Sequence, residues 1–285
     1  MFRGELTLTG LEYKDWQIEV LKDDIELGKF KAAVFDFDGT ISLIREGWQQ
    51  VMIPYFIEEL QKTPKAEDEE SISRCVRDFV DFHTGKQTIY QCIRLAEEIE
   101  TRDGKPEDPL KYKKEYHRRL MDRIEHRIAG LREGLVKPED AVVPGSMELL
   151  NMLRERGLVL YLASGTDENY VLEEAKLLKV TKYFNGGIYG ARDEYKLFSK
   201  AMVIRNIIKS HELSGKELIG FGDGYVEIEN IKSFGGFAVG VASDEVNKCG
   251  IDEWKRKRLT RAGADIILPD YRQLNKIEGY IFPRR

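Results

Sequence analysis

From Lys31 to Phe37 the chain is a compact run of aliphatic and aromatic residues that closes on Asp36 and Asp38 and passes at once into Gly39-Thr40. An apolar run of that length reads as a strand buried on both faces, the kind found in parallel sheets. Carboxylates are almost never buried without a partner, so two of them at the end of such a strand call for a cation or for phosphate chemistry.

The texture changes between roughly Arg45 and Asp140. WQQVMIPYFIEELQK, EESISRCVRDFVDFH, IYQCIRLAEEIE and YKKEYHRRLMDRIEHRIAGL carry apolar residues at helical spacing, with breaks at Pro64, Gly85, DGKPEDP and Lys137-Pro138. A mostly helical lobe is expected there. Alternating strand and helix patterns then run to the end of the chain. Strands are expected over 158–163, 218–221, 237–241 and 265–268, and helices over 144–156, 168–179, 199–210 and 227–234. Alternation of this kind predicts a doubly wound parallel α/β sheet with its ligand site at the carboxyl ends of the strands. The domain reading is a core of residues 1–44 and 141–285 interrupted by a helical insertion over 45–140. Residues 1–30 alternate apolar and polar in ELTLTGLEY and WQIEV, which predicts a β extension, a hairpin or paired edge strands.

Three of the expected strands end in unusual polar turns: Asp36-Phe37-Asp38-Gly39-Thr40, Ala163-Ser164-Gly165-Thr166, and Gly222-Asp223-Gly224 with Glu227 four residues after Asp223. In a parallel sheet these ends face one crevice. Gly39 and Gly165 would let backbone N–H groups approach an anion, and a helix opening just after Thr166 would add its positive end. Thr166 reads equally as a cap of that helix. Carboxylates crowded around one crevice suit a hard cation. Magnesium takes oxygen ligands, keeps waters, and uses one or two carboxylates together with substrate phosphate. Asp36, Asp223 and the backbone carbonyl of Asp38 are the candidate Mg2+ ligands, with Glu227 in reserve or acting through water.

VFDFDGT, LASGT, the lysine of SKAMVIRNIIKS and GFGDGYVEI, in that order, resemble the four motifs of the haloacid dehalogenase superfamily. The helical insertion resembles that family's cap, and PGSMELLNMLRERG resembles its phosphoglycolate-phosphatase-like and phosphoserine-phosphatase-like branches. The likeness covers Lys31 to Arg45 and then Val143 to about Asp265. It implies a Rossmann-like core and a Mg2+-dependent phosphatase acting on a small phosphomonoester. Asp36 would be the nucleophile that carries an aspartyl-phosphate, and Asp38 the acid and then the base. Ser164, with Gly39, Thr40 and Gly165, would hold phosphoryl oxygens, and a lysine would neutralise their charge. Lys200, 23 residues before Asp223, is preferred for that role over Lys196, 27 residues before it. Arg45 and Trp48 follow the first motif and are candidates to touch the leaving group or to form the hinge. A phosphomutase of the β-phosphoglucomutase type would use the same Asp36 and Asp38. A non-catalytic metabolite-binding module is the reading from another class. A phosphonatase would need a cap amine, and although Lys62 and Lys65 are available, nothing in the sequence marks them for it.

Composition narrows the partners. A formal charge of −5 argues against nucleic acid, and the basic run Lys255 to Arg258 reads as a solvated helix face. His83, His117, His126 and His211 read as surface or boundary residues. Cys75, Cys92 and Cys249 are widely spaced, which suggests neither a disulfide framework nor a zinc site and fits a reducing cytoplasm. No apolar run of spanning length is present. The expected partner is a small phosphorylated metabolite, without membrane, and a homodimer stays open as the assembly.

Overall fold

The computed structural model describes residues 18–22, 26–192 and 195–283. The seven strands are β1 (Glu19–Val20), β2 (Ala32–Phe35), β3 (Val159–Asp167), β4 (Gly187–Ala191), β5 (Leu218–Gly222), β6 (Phe237–Val241) and β7 (Ile266–Leu268). They form one sheet in the order β1-β7-β6-β5-β2-β3-β4, parallel throughout except for β1 against β7. The sequence expectation of a doubly wound parallel sheet therefore stands. Only Glu19–Val20 of the N-terminal β expectation falls among the described residues that form a strand; ELTLTGLEY lies outside them.

The central strand is β2. Ala32 to Phe35 are all buried and pair in register with Val159–Leu162 of β3 on one side and Leu218–Phe221 of β5 on the other. Phe35 and Phe221 stack with ring centroids 4.4 Å apart, locking the two strands that carry the first and last acidic motifs. Successive strands run outward from β2 in one direction and from β5 in the other, so strand order reverses at this pair. The crevice beyond the carboxyl ends of β2 and β5 is where such a sheet binds ligands.

Five α-helices lie between β2 and β3 in the chain, and the first four form a helical layer: α1 (Gln49–Gln61), α2 (Glu69–His83), α3 (Thr88–Thr101) and α4 (Pro109–Arg132). Their starts are written locally. Asp68 accepts from Ser71 N at 2.9 Å to cap α2, and Asp108 caps α4, whose first residue is a proline. Apolar residues at helical spacing, such as Ile72, Val76, Phe79 and Val80 of α2, bury one face of each helix. The core side carries α5 (Ser146–Glu155), α6 (Glu168–Leu177), α7 (Lys200–Ser210), α8 (Tyr225–Ser233), α9 (Glu253–Ala262) and α10 (Leu274–Ile281). Three features escape the sequence reading: β4, β3 running on to Asp167 instead of stopping at Ala163, and α10.

The loop joining α2 to α3, residues 84–87, descends onto the sheet ends. Gln87 Nε2 donates to the carbonyl oxygens of Phe198 at 2.8 Å and Tyr195 at 3.1 Å, and Tyr225 Oη donates to the carbonyl of Phe82 at 2.7 Å. These bonds seat the helical layer on the sheet.

Candidate active site

Where the descending loop meets the strand ends it encloses a cavity of about 100 Å3. Asp36, Asp38, Ser164, Lys200 and Asp223 line its floor, and the helical layer supplies Trp48, Met52, Thr88, Gln91 and Tyr116. Close approach explains two glycines here. A Cβ on Gly39, whose φ is +72°, would stand 2.2 Å from Asp223 Oδ2, and one on Gly165 would stand 2.7 Å from the Lys86 carbonyl oxygen.

Asp36 and Lys200 are each 7% exposed, with Lys200 Nζ 2.8 Å from Asp36 Oδ1. Ser199 opens α7 as its N-cap, accepting from Met202 N, and so aims Lys200 back over the sheet end. Lys200 also donates to Glu227 Oε1, whose second oxygen is buried without a partner. Burial pushes the Asp36 carboxyl well above the ordinary range; Lys200 opposes this, while Glu227 and Asp223 reinforce it. Burial also acts on Lys200, but the two carboxylates outweigh it and raise its pKa.

Asp38 Oδ2 accepts from Thr166 Oγ1 at 2.8 Å, while Oδ1 is buried without a hydrogen-bond partner and lies 3.9 Å from Arg45 Nε. Its pKa is raised to about 6, chiefly by burial, with Arg45 opposing. Thr166 lies within β3 and holds Asp38, whereas the N-cap position of α6 belongs to Asp167. That replaces the capping reading of Thr166. Ser164 is buried, and its Oγ accepts from Thr166 N at 3.0 Å.

The remaining predicted residues are placed as follows. Gly39, Gly165 and Arg45 line the cavity; Thr40 lies behind it, its carbonyl accepting from Tyr271 Oη at 3.0 Å. Glu227 pairs with Lys200 and is not itself among the residues lining the cavity, although its Oε2 would stand 3.2 Å from a Cβ on Gly85, which does line it. Lys196 is exposed, its ammonium 5.9 Å from the Tyr195 ring. Lys200 is thus the lysine at the strand ends. Arg45 is buried and grips Glu174 of α6 through Nε at 3.0 Å and Nη2 at 2.7 Å.

Two expectations are corrected. Lys255, read as part of a solvated run, is buried beneath the site, 2.9 Å from Asp223 Oδ2 and 2.6 Å from Glu245 Oε1. Its face of α9 is shared by buried Leu259 four residues on, a spacing that sets it apart from exposed Lys257. His117, read as surface or boundary, is buried against Tyr170, with Nδ1 3.7 Å from Asp167 Oδ2, and burial pushes its pKa down to about 3.

Among the described residues no group of three or more His, Cys, Asp or Glu side chains is arranged to hold a metal ion. The donor set still suits magnesium, which is held by one or two carboxylates and takes its other oxygens from waters and substrate. The unpartnered Asp38 Oδ1 and the crowding of Asp36 with Asp223 leave negative charge at the cavity for such a cation to balance.

Residues 30–235 match the family model of haloacid dehalogenase-like hydrolases. No curated protein matches the sequence. Similar solved structures include a predicted phosphoglycolate phosphatase from Haemophilus somnus, 15% identical, covering 88% of this chain and 99% of that one with a TM-score of 0.58. A predicted phosphatase from Clostridium acetobutylicum is 19% identical over 87% of this chain and 97% of that one, with a TM-score of 0.55. A β-phosphoglucomutase from Clostridium difficile is 16% identical over 81% and 98%, with a TM-score of 0.52. At these identities the structures speak for the fold, while the family model spans well over half of the chain: this protein belongs to the haloacid dehalogenase-like hydrolases.

Proposed function

We propose that the protein is a magnesium-dependent phosphatase that hydrolyses a small phosphomonoester through an aspartyl-phosphate on Asp36. The observation that carries this reading is the pairing, at one strand end, of a buried Asp36 held by Lys200 with an Asp38 whose pKa is raised to about 6. Lys200 occupies Asp36 Oδ1, which leaves Oδ2 to attack phosphorus. Asp38, on the same cavity, donates its proton to the departing oxygen and takes one back from the water that cleaves the acyl-phosphate. Thr166 fixes Asp38 for both transfers through its hydroxyl.

Ser164 and the backbone N–H groups beside Gly39 and Gly165 hold phosphoryl oxygens, and Lys200 offsets their charge. Asp36, Asp223 and the Asp38 carbonyl would hold Mg2+, which when bound screens the phosphoryl oxygens from the carboxylates. The helical layer covers the site as a cap and excludes bulk water.

The partner is a small phosphorylated metabolite. Nucleic acid is disfavoured because the basic run is not an open patch: Lys255 is buried, Arg256 pairs with Glu19, and Arg258 stacks on Trp254. Among the described residues no helix is long and apolar enough to cross a membrane, and a cytoplasmic setting is proposed from the free cysteines.

A phosphomutase remains the second reading, since a mutase would use Asp36 and Asp38 alike and a β-phosphoglucomutase shares the fold. Phosphate release from p-nitrophenyl phosphate, with Mg2+ and with chelator, tests the proposal. Metal-dependent release that Asp36→Asn lowers by at least about 10³-fold supports it. Release that survives in the variant removes Asp36 as nucleophile, and isomerisation of a sugar phosphate without release selects the mutase.

A further inference from the structure

Of the cations that line the cavity, Arg45 and Lys200 are already paired with carboxylates. Arg45 is 5% exposed and gives two of its nitrogens to Glu174, itself 2% exposed. Behind it, Lys113 of α4 lies 2.6 Å from Asp167 Oδ1. Lys86, which also lines the cavity, holds its ammonium 4.5 Å over the ring of Phe82, a side chain 63% exposed. Apart from Arg45 and Lys86, the side chains that the helical layer brings to the cavity lining are uncharged: Thr84, Thr88, Tyr116 and Gln91, with the apolar Trp48 and Met52.

On that basis, and resting on the phosphatase reading, we propose that the leaving group is an uncharged polyhydroxyl one, so that the substrate is a polyol or sugar monophosphate and not the phosphate of a hydroxy acid. A carboxylate on the leaving group would be desolvated beside Asp38 and Glu245, while of the cations lining the cavity Arg45 and Lys200 are held by carboxylates and Lys86 carries its ammonium over the Phe82 ring. Hydroxyl groups find both donors and acceptors in Thr84, Thr88, Gln91 and Tyr116, and the Trp48 and Met52 surfaces suit the apolar C–H edges of a polyol.

Glycerol 3-phosphate and 3-phosphoglycerate test this as a matched pair, since they differ in a hydroxymethyl group against a carboxylate. The expected result for the native protein with Mg2+ is a kcat/KM at least about 10-fold higher for glycerol 3-phosphate, following the per-contact discrimination of a binding pocket. Glu174→Gln, which frees the Arg45 charge, should narrow that ratio by favouring the carboxylate. Equal or faster turnover of 3-phosphoglycerate by the native protein, including equal absence of turnover while p-nitrophenyl phosphate is cleaved, overturns the inference alone. Absence of release from all three compounds overturns the phosphatase reading on which it stands.

Discussion

The ammonium of Lys255 lies 2.9 Å from Asp223 Oδ2, at the centre of a buried group that ties three parts of the chain together. Lys255 also reaches Glu245, and Ser243, 3.3 Å from the same ammonium, donates to the Gly39 carbonyl at 2.7 Å. Removing the charge strands two carboxylates. Lys255→Met is therefore expected to cost about 3 kcal/mol, or roughly 6–12 °C in Tm, in chelator. Mg2+ should recover more of that loss in the variant than it adds to the native protein. Equal shifts in a thermal melt would separate Asp223 from the cation site.

Lys200 and Lys196 stand four residues apart but in opposite surroundings, one buried between Asp36 and Glu227 and the other exposed beside Tyr195. Lys200→Ala should lower kcat by about 10²- to 10³-fold, the range seen when a transition-state donor is removed. Lys196→Ala should change it less than about twofold. Phosphate-release kinetics on both variants decide the matter, and the reverse order would move the phosphoryl-neutralising role to Lys196.

Asp38 binds its proton more tightly in the folded chain, with a pKa of about 6 against an ordinary 3.8. The stability linked to that proton is complete below about pH 3.8, is lost as the pH rises to about 6, and above that the ionised carboxylate costs roughly 2–3 kcal/mol. In chelator, Asp38→Asn should therefore melt progressively higher than the native protein as the pH is raised from about 4 to about 7. A gap that does not widen would show that Asp38 carries no such burden. In the native protein kcat/KM should fall on the alkaline side as the acid form is depleted.

Gly165→Ala tests how closely the helical layer must sit on the sheet. Its Cβ would meet the Lys86 carbonyl at 2.7 Å, a backbone atom that cannot swing aside. The loop over 84–87 should lift, lowering kcat/KM by about 10- to 100-fold while the melting temperature changes little. Unchanged kinetics would mean that the layer does not need this approach for turnover.

The acidic strand ends were readable because each lies in a local strand, polar turn and helix pattern, and the buried parallel strand over Ala32–Phe35 announced itself by an unbroken apolar run. Lys255 was not, because its partners Asp223 and Glu245 come from other elements and its neighbours on α9 are charged and more exposed. The one local signal was its spacing to Leu259. Glu174 was hidden likewise: on α6 it resembles any polar helix residue, and only the arrival of Arg45 from beyond β2 buries it. Strand β4, GIYGA, has two glycines in five residues, which weaken a strand pattern that the sheet supplies through β3.

The antiparallel pairing of β1 with β7 has a consequence for self-association. Glu19 and Val20 occupy the backbone edge of Ile267 and Ile266, and Arg256 clamps Glu19 from outside with Nη2 2.6 Å from Oε1. An exposed edge of buried isoleucines is a template on which another chain can add a strand. A version of the protein beginning at Lys29 would uncover that edge and should form oligomers or aggregates at concentrations where the full chain stays dispersed.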